Sequence, residues 1–433
     1  MVRDVVGQKA VVESLEHKEK FFEIAIEPEW YLFPGDIVHS PPKFGSIPIA
    51  HSDTLVSCTG IATAAICPRH AVLADRYRDA DLGVGGKNML LGNFLHEVFQ
   101  DLLREAVAKR QITGELVRQA MMTQLEDNVA SIIRCNESIK TMELAAREYY
   151  VVITRLINDI VHRGHAINLN FTQEENENRT RTEKDVIKVE KVLDIEENLW
   201  EPKLGLKGKI DVTAQVRRKD GSRLVMPIEL KSGKGNALSM QHRIQTQLYG
   251  MAQAARGGET FHQKTSIVAY IKTAKTFSIP IKRAEIDQIL ERRNTLAGFY
   301  RRPLRKRTEM ETEAKIRELP PLLENNPREC EFCYKRDICA FWAKEEGLTH
   351  EDPTVQGLFD QSVKEVTPTL ADYVKKWTTL ALLEQKHANK KERGNEVWNP
   401  ECTSPTVEGI LPYGKVEKHG GQWHMMCKLP VSV

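Results

Sequence analysis

Over the first 53 residues apolar positions come in short groups. Phe21-Phe-Glu-Ile-Ala-Ile26 mixes aromatic and β-branched residues, and Pro34-Gly-Asp36 breaks the run, a pattern that predicts short strands and turns. From Asn88 to about Arg163 the period becomes helical. Phe94, Leu95, Val98, Leu102 and Leu103 fall on one stripe of LLGNFLHEVFQDLLREAVAKR, and ELAAREYYVVITRLINDIVHR is a second amphipathic run. Residues 187–216 and 223–231 are rich in β-branched side chains and predict strands, the last two joined by a hairpin turn at Lys219-Asp220-Gly221-Ser222. A helix over about 238–255, a strand at SIVAYIKT and a basic helix from 283 to about 300 follow. No repeat of 20–50 residues is visible. Helices, strands, helix, strand and helix in that order predict an α/β domain whose central sheet is covered by helices.

Composition narrows the class. With 433 residues, 41% hydrophobic and 28% charged, the chain is long enough for two to three domains and too apolar to be disordered. Sixty-two Lys and Arg against 60 Asp and Glu leave a net charge of +2, so a nucleic-acid face has to be local. The longest uncharged stretch, Thr54 to Pro68, is too short to span a bilayer; no membrane span is expected. The charged start, MVRDVVGQKAVVESLEHKEK, is not expected to act as a secretory signal. Eight Cys in such a chain fit a reducing compartment, where clustered thiols bind metals more often than they form disulfides.

The richest chemistry lies between 208 and 249. Gly208-x-x-Asp211 ends a strand segment, Glu229-x-Lys231 lies beyond the hairpin, and Gln245-x-x-x-Tyr249 lies on the next helix. Strand period two puts Glu229 and Lys231 on one face with Leu230 on the other, and the hairpin brings Asp211 beside them. Gln245 and Tyr249, four apart, share a helix face. Paired carboxylates on adjacent strands suit Mg²⁺ or Mn²⁺, and a Lys two residues on can stabilise a hydroxide or a developing phosphorane charge. E-x-K alone is common on surface strands; the ordered set of three motifs is what distinguishes it.

That set resembles the RecB-like branch of the PD-(D/E)xK nucleases. The resemblance implies a restriction-endonuclease-like α/β core, a central mixed sheet flanked by helices. It also implies a His on an upstream helix, and Gly92-Asn-Phe-Leu-His96-Glu97 stands in that place. His96 would then complete a metal shell with Asp211, Glu229 and the backbone carbonyl of Leu230.

Cys330-x₂-Cys333-x₅-Cys339 is a strong metal signal one ligand short. It matches neither a ferredoxin run nor a two-plus-two zinc ribbon. Cys58, Cys67, Cys135, Cys402 and Cys427 are candidates for the fourth place, and spacing alone does not separate zinc from [4Fe-4S]. RecB-like nucleases with an iron–sulfur clasp carry one Cys before the His helix and three after the core. The resemblance therefore implies Cys67, in Ile66-Cys-Pro-Arg69, with Cys58 as the competitor, and a [4Fe-4S] cluster.

Four stretches narrow the resemblance: Cys67-Pro-Arg-His-Ala-Val-Leu73, Leu95-His-Glu-Val-Phe-Gln100, Asp194-Ile-Glu-Glu-Asn-Leu-Trp200 and Gly205-Leu-Lys-Gly-Lys-Ile-Asp211. Over roughly 30–400 the chain is similar to the nuclease part of the eukaryotic helicase/nucleases of DNA replication. These enzymes cut single-stranded flaps and resected ends, thread the strand through a basic tunnel, and act with a single-stranded-DNA-binding protein in nucleus and mitochondria. The implied domains are a partial β-rich, OB-like segment (1–53), the nuclease with its cluster (54–345), a helical segment (346–395) and the start of a β-barrel cut short (396–433). The family's helicase is expected to be absent: no G-x-x-x-x-G-K-[ST] occurs, and Gly233-Lys234-Gly235 lacks the first Gly and the Ser/Thr. Lys282 to Arg307 holds nine Lys and Arg against three acids and fits either a DNA path or a solvated helix. A stand-alone RecB-like exonuclease and a catalytically idle DNA-binding fragment are the alternatives.

Overall fold

In the computed structural model the described residues are 1–15, 20–40, 46–78, 87–108, 110–161, 166–169, 185–233, 235, 237–257, 265–302, 319–392, 415–419 and 422–426. Two units are present, Met1–Phe299 with Leu319–Val363, and Tyr300–Glu318 with Lys364–Val433.

The first unit opens with an antiparallel sheet of β1 (Val2–Val6), β2 (Lys9–Glu13) and β3 (Phe21–Ala25), closed on a small core that includes Val2, Ala10, Trp30 and Ala50. A short ribbon, β4 (Val38–His39) with β5 (Ile49–Ala50), leads to β6 (Val56–Ser57). Two helices come next that the hydrophobic pattern does not announce, α1 (Cys58–Ala64) and α2 (Pro68–Arg76). Cys58, Ile61, Ala62 and Ala64 are all buried, so α1 has too little polar face to show a helical period. The local signals are caps: Ser57 Oγ accepts from Gly60 N–H (3.0 Å), and Cys67 Sγ from His70 N–H (3.3 Å).

The helical stretch expected from Asn88 to Arg163 is α3 (Lys87–Val107), α4 (Gly114–Asp127), α5 (Val129–Arg134), α6 (Ile139–Arg147) and α7 (Tyr150–Val161). The α3 stripe of Phe94, Leu95, Val98, Leu102 and Leu103 is buried against Val212, Ala214, Met226, Ile228 and Leu230 of the sheet. Each such side chain contributes about 1.5–3 kcal/mol of burial.

The sheet comprises β7 (Ala166–Leu169), β8 (Asp185–Glu201), β9 (Leu206–Arg218), β10 (Arg223–Lys231), β11 (Thr265–Tyr270) and β12 (Lys275–Pro280), ordered β12-β11-β10-β9-β8-β7, with β6 also paired to β9. The β10–β11 and β6–β9 ladders are parallel and the rest antiparallel, which gives the mixed sheet flanked by helices that the sequence implied. The hairpin falls where expected: Gly221 N–H donates to Arg218 O (3.0 Å) and Arg218 N–H to Ser222 O (2.9 Å). Between β10 and β11 runs α8 (Met240–Gly257), the crossover helix. β12 was not foreseen, because its buried positions include Thr276 and Ser278, which read as surface.

The basic helix α9 (Arg283–Arg301) has a structural side. Arg293 is fully buried and donates to the carbonyls of Gly205 (3.2 Å), Ala50, His51 (2.9 Å) and Thr54, while Asn294 bonds Pro48 O (2.7 Å) and Ala50 N–H (3.0 Å). Arg293 therefore belongs to the interior and not to a DNA path, and Phe299 is likewise buried. Residues 303–307 of the basic stretch, Lys234, Cys402 and Cys427 lie outside the described residues. Three helices close the unit: α10 (Pro327–Glu331), α11 (Arg336–Glu345) and α12 (Pro353–Ser362).

In the second unit, α13 (Pro368–Glu392) exposes Leu370, Tyr373, Trp377 and Leu380 at helical spacing, and β13 (Lys415–His419) pairs with β14 (Gln422–Met426). These two strands are what is described of the expected β-barrel start. Among the described residues no helix is long and apolar enough to cross a membrane.

Candidate functional site

The site sits where the central sheet forks. β9 and β10 pair from Arg217↔Arg223 down to Val212↔Ile228, a register that sets Asp211 opposite Glu229. Beyond that point β10 stays with β11, as Glu229↔Val268, Leu230↔Ala269 and Lys231↔Tyr270. β9 instead stays with β8, and its vacated edge takes β6 as Val56↔Leu206 and Ser57↔Lys207. The Leu230 N–H beside the fork donates to Asp211 Oδ2 (2.7 Å). Leu230 packs into the α3–α7 core, while Glu229 and Lys231 face the other way, as period two requires.

The six side chains singled out between 96 and 249 converge here. His96 Nδ1, from α3, lies 3.3 Å from Asp211 Oδ1. Lys231 Nζ donates to Glu229 Oε1 (2.6 Å) and to Gln245 Oε1 (3.1 Å). Gln245 Nε2 donates to Glu229 Oε1 (2.8 Å) and to the Tyr249 hydroxyl (2.9 Å). Glu229 is 3% exposed, and its Oε2 is buried with no hydrogen-bond partner. A buried carboxylate oxygen left unsatisfied costs about 1–3 kcal/mol or more, so it marks a place for a donor or a cation.

Electrostatics separate the two acids. Burial and the Asp211 charge push Glu229 up to about 7. Burial also presses Asp211 upward, but the His96 bond and charge and the Leu230 N–H outweigh it and hold that carboxyl below its usual range. For His96 burial acts downward, and the Asp211 bond with both carboxylate charges reverses it. Without a cation the site thus holds one charged acid beside one that resists charging.

Several further residues complete the site. Cys58 is buried beneath Gly208, where a Cβ would lie 2.8 Å from Tyr249 Cε1 and 3.3 Å from Cys58 Sγ. The glycine of Gly208-x-x-Asp211 is thus needed for close approach of the Tyr249 ring. His242, one turn before Gln245, bonds Tyr270 (2.8 Å). No sequence signal set His242 or Tyr270 apart from core residues.

The second cluster of candidates lies elsewhere in the same unit. Cys67, Cys330, Cys333 and Cys339 line one cavity of about 340 Å³, together with His70 and Arg69, while Cys58 sits at the fork. Burial and neighbouring thiols push Cys330 up to about 12; burial, chiefly, pushes Cys333 up to about 11. Arg69 is 1% exposed, bonds Pro320 O (2.8 Å) and Glu346 Oε2 (2.7 Å), and its charge opposes the upward push of burial on the Cys339 thiol. Among the described residues no three His, Cys, Asp or Glu side chains are drawn into a closed metal cage. Four neutral thiols around one void are nonetheless a donor set that a thiolate-bound metal centre would fit once the protons leave.

A forked mixed sheet with a buried acid–lysine pair at the fork, and four thiols around a separate cavity, defines the class of this α/β protein. Residues 14–216 match the family described as DNA replication factor Dna2. The chain is 28% identical over 94% of its length to the DNA replication ATP-dependent helicase/nuclease DNA2 of Bos taurus, and 27% identical over 94% to that of Homo sapiens. To the protein of the same name from Saccharomyces cerevisiae it is 25% identical over 85%. It spans 38% of the length of the cattle and human proteins and 25% of the yeast one. The resemblance read from the motifs therefore holds: most of this chain is similar to one stretch, the nuclease part, of those helicase/nucleases.

Proposed function

We propose that this chain is a metal-dependent nuclease that hydrolyses single-stranded DNA, cleaving flaps and resected ends in DNA replication and repair. The observation that carries the reading is the buried Asp211–Glu229 pair, with Glu229 Oε2 unpartnered and Lys231 anchored beside it. Asp211, Glu229 and His96 would hold Mg²⁺ or Mn²⁺, hard cations suited to oxygen donors. A bound divalent ion supplies a more acidic water and a polarised phosphate. Lys231, fixed between Glu229 and Gln245, offers its charge to the attacking oxygen or to the transition state, worth about 10²–10³ in rate. Gln245 holds Lys231 and Glu229 in register, and Tyr249 holds Gln245.

Cys67, Cys330, Cys333 and Cys339 would hold a [4Fe-4S] cluster in the thiol cavity. The four thiols would supply its ligands, and the family resemblance is what favours it over a single zinc. Similarity to helicase/nucleases of DNA replication supports action in the nucleus; a mitochondrial pool and a single-stranded-DNA-binding partner belong to the same proposal. With no phosphate-cradling Gly-rich loop in the sequence, cleavage should need no ATP.

The test is digestion of labelled flap DNA with Mg²⁺ or with EDTA, with Asp211→Ala as control. Cutting that needs Mg²⁺ and disappears in the variant is expected; equal cutting in EDTA sinks the reading. Iron and sulfide content with the visible spectrum of anaerobically purified protein tests the cluster separately.

A further inference from the structure

We infer that His242 is a substrate-contacting residue of the nuclease site, donating from Nε2–H to a nonbridging oxygen of the DNA backbone next to the scissile phosphate. The inference deepens the nuclease reading and rests on it.

Position comes first. His242, Gln245 and Tyr249 are spaced i, i+3 and i+7 on α8 and so form one stripe. Two of the three already reach the fork. The partner of His242 is Tyr270, and Tyr270 is the cross-strand neighbour of Lys231 in the β10–β11 ladder. Paired residues project from the same face of a sheet, so the Tyr270 ring stands beside Lys231 with His242 against it. The Lys231 charge reaches the imidazole.

The tautomer follows from which group donates in the His242–Tyr270 bond. Taken as the donor, the Tyr270 hydroxyl has one acceptor within reach among the described residues. That acceptor is His242 Nδ1, 2.8 Å away. A neutral imidazole that accepts at Nδ1 carries its proton on Nε2. Burial, helped by Lys231, brings the His242 pKa down to about 4, so the neutral form holds at working pH. Nε2 meets no hydrogen-bond partner among the described residues, and the side chain is part exposed.

The loop before α8 keeps this in place. Gly235 has φ +60°, and a Cβ there would lie 2.3 Å from the Tyr270 ring. The backbone is thus laid directly on Tyr270, and the ring has little freedom to turn away from His242. A fixed, uncharged donor beside a lysine suits a phosphodiester oxygen. Phosphate oxygens take a large share of protein hydrogen bonds to DNA.

The test exploits two amides. In His242→Gln the side-chain NH₂ falls near the Nε2 position; in His242→Asn it reaches only as far as Nδ1. With labelled single-stranded DNA and Mg²⁺, we expect His242→Asn and His242→Ala to raise KM about tenfold with kcat within about threefold, the mark of a lost ground-state contact. His242→Gln should recover KM to within about threefold of wild type. Tyr270→Phe, which keeps the ring and frees the tautomer, should raise KM less than His242→Asn. In an Asp211→Ala background, fluorescence anisotropy should show the same order of affinities for uncleaved DNA. That readout stands even if wild type proves not to cleave, so failure of the nuclease reading and failure of this one are distinct. Gln no better than Asn, or Ala with wild-type KM and affinity, would overturn the assignment.

Discussion

The Asp211 carboxylate does two things at once, closing the fork through the Leu230 N–H and holding His96. Glu229 opposite has one oxygen bound by Lys231 and Gln245 and the other buried without a partner. Asp211→Ala and Glu229→Ala should each abolish cleavage, measured on labelled flap DNA, and leave DNA binding by filter retention largely intact. Lys231→Ala should slow cleavage by about 10²–10³. The acid pair also makes a prediction about pH. The folded pKa of Glu229, about 7, lies above its ordinary value of 4.5, so the metal-free fold gains from the protonated form. That gain is complete below about pH 4.5 and disappears as pH rises through 7, a swing of about 3 kcal/mol. Glu229→Gln, which stays neutral, should therefore melt above metal-free wild type at pH 8 and converge with it near pH 5. Mg²⁺ should reverse the order at pH 8 by stabilising wild type alone. Scanning calorimetry with and without Mg²⁺ checks both. The residues of this pair were legible because type, spacing and order all pointed to one chemistry. His242 and Tyr270 were not, since their role comes from a ladder register that spans 231 to 270.

Among elements, the fork depends on what each strand does after Asp211. The hairpin from 206 to 231 could be read from its β-branched runs and turn, but its splitting could not, because β6 is two residues long and carries no periodic signal. α1 was hidden for the reason that makes it useful: a helix buried on most sides presses Cys58 and its backbone against β9. Gly208→Ala tests that packing. Its Cβ would come 2.8 Å from Tyr249, forcing the ring and then Gln245 to move. A destabilisation of about 1–3 kcal/mol is expected, with activity falling at least tenfold, read by urea unfolding and a cleavage time course. Arg293 ties 50–54 and Gly205 to α9 through four carbonyls. Arg293→Met should cost about 3–5 kcal/mol in the same unfolding assay, since it leaves buried acceptors unpaired. A basic helix read from charge alone conceals this, because sequence does not distinguish a buried guanidinium from a solvated one.

At the scale of the molecule, the thiol cavity joins residue 67 to residues 330–339. A cluster bound there would crosslink chain points about 260 residues apart, worth roughly 5–6 kcal/mol on a loop-entropy estimate. Cys330→Ser, Cys333→Ser, Cys339→Ser and Cys67→Ser should each yield colourless protein cut readily by trypsin, whereas Cys58→Ser should keep its colour. A coloured Cys67→Ser beside a colourless Cys58→Ser would reverse the assignment. DNA affinity should fall steeply from 50 to 200 mM salt, as contacts to phosphates release counterions. The same long connections also impose a timetable on a chain made from its first residue onward. β6 has no edge to join until Leu206 exists, Ala50 waits for Arg293, and Cys67 waits for Cys339, about 270 residues later. At about 5–20 residues per second that is on the order of tens of seconds on the ribosome. Through that interval Ile49, Val56 and Ile61, all buried at the end, have no finished core to enter, so the nascent chain should depend on chaperones until Cys339 emerges.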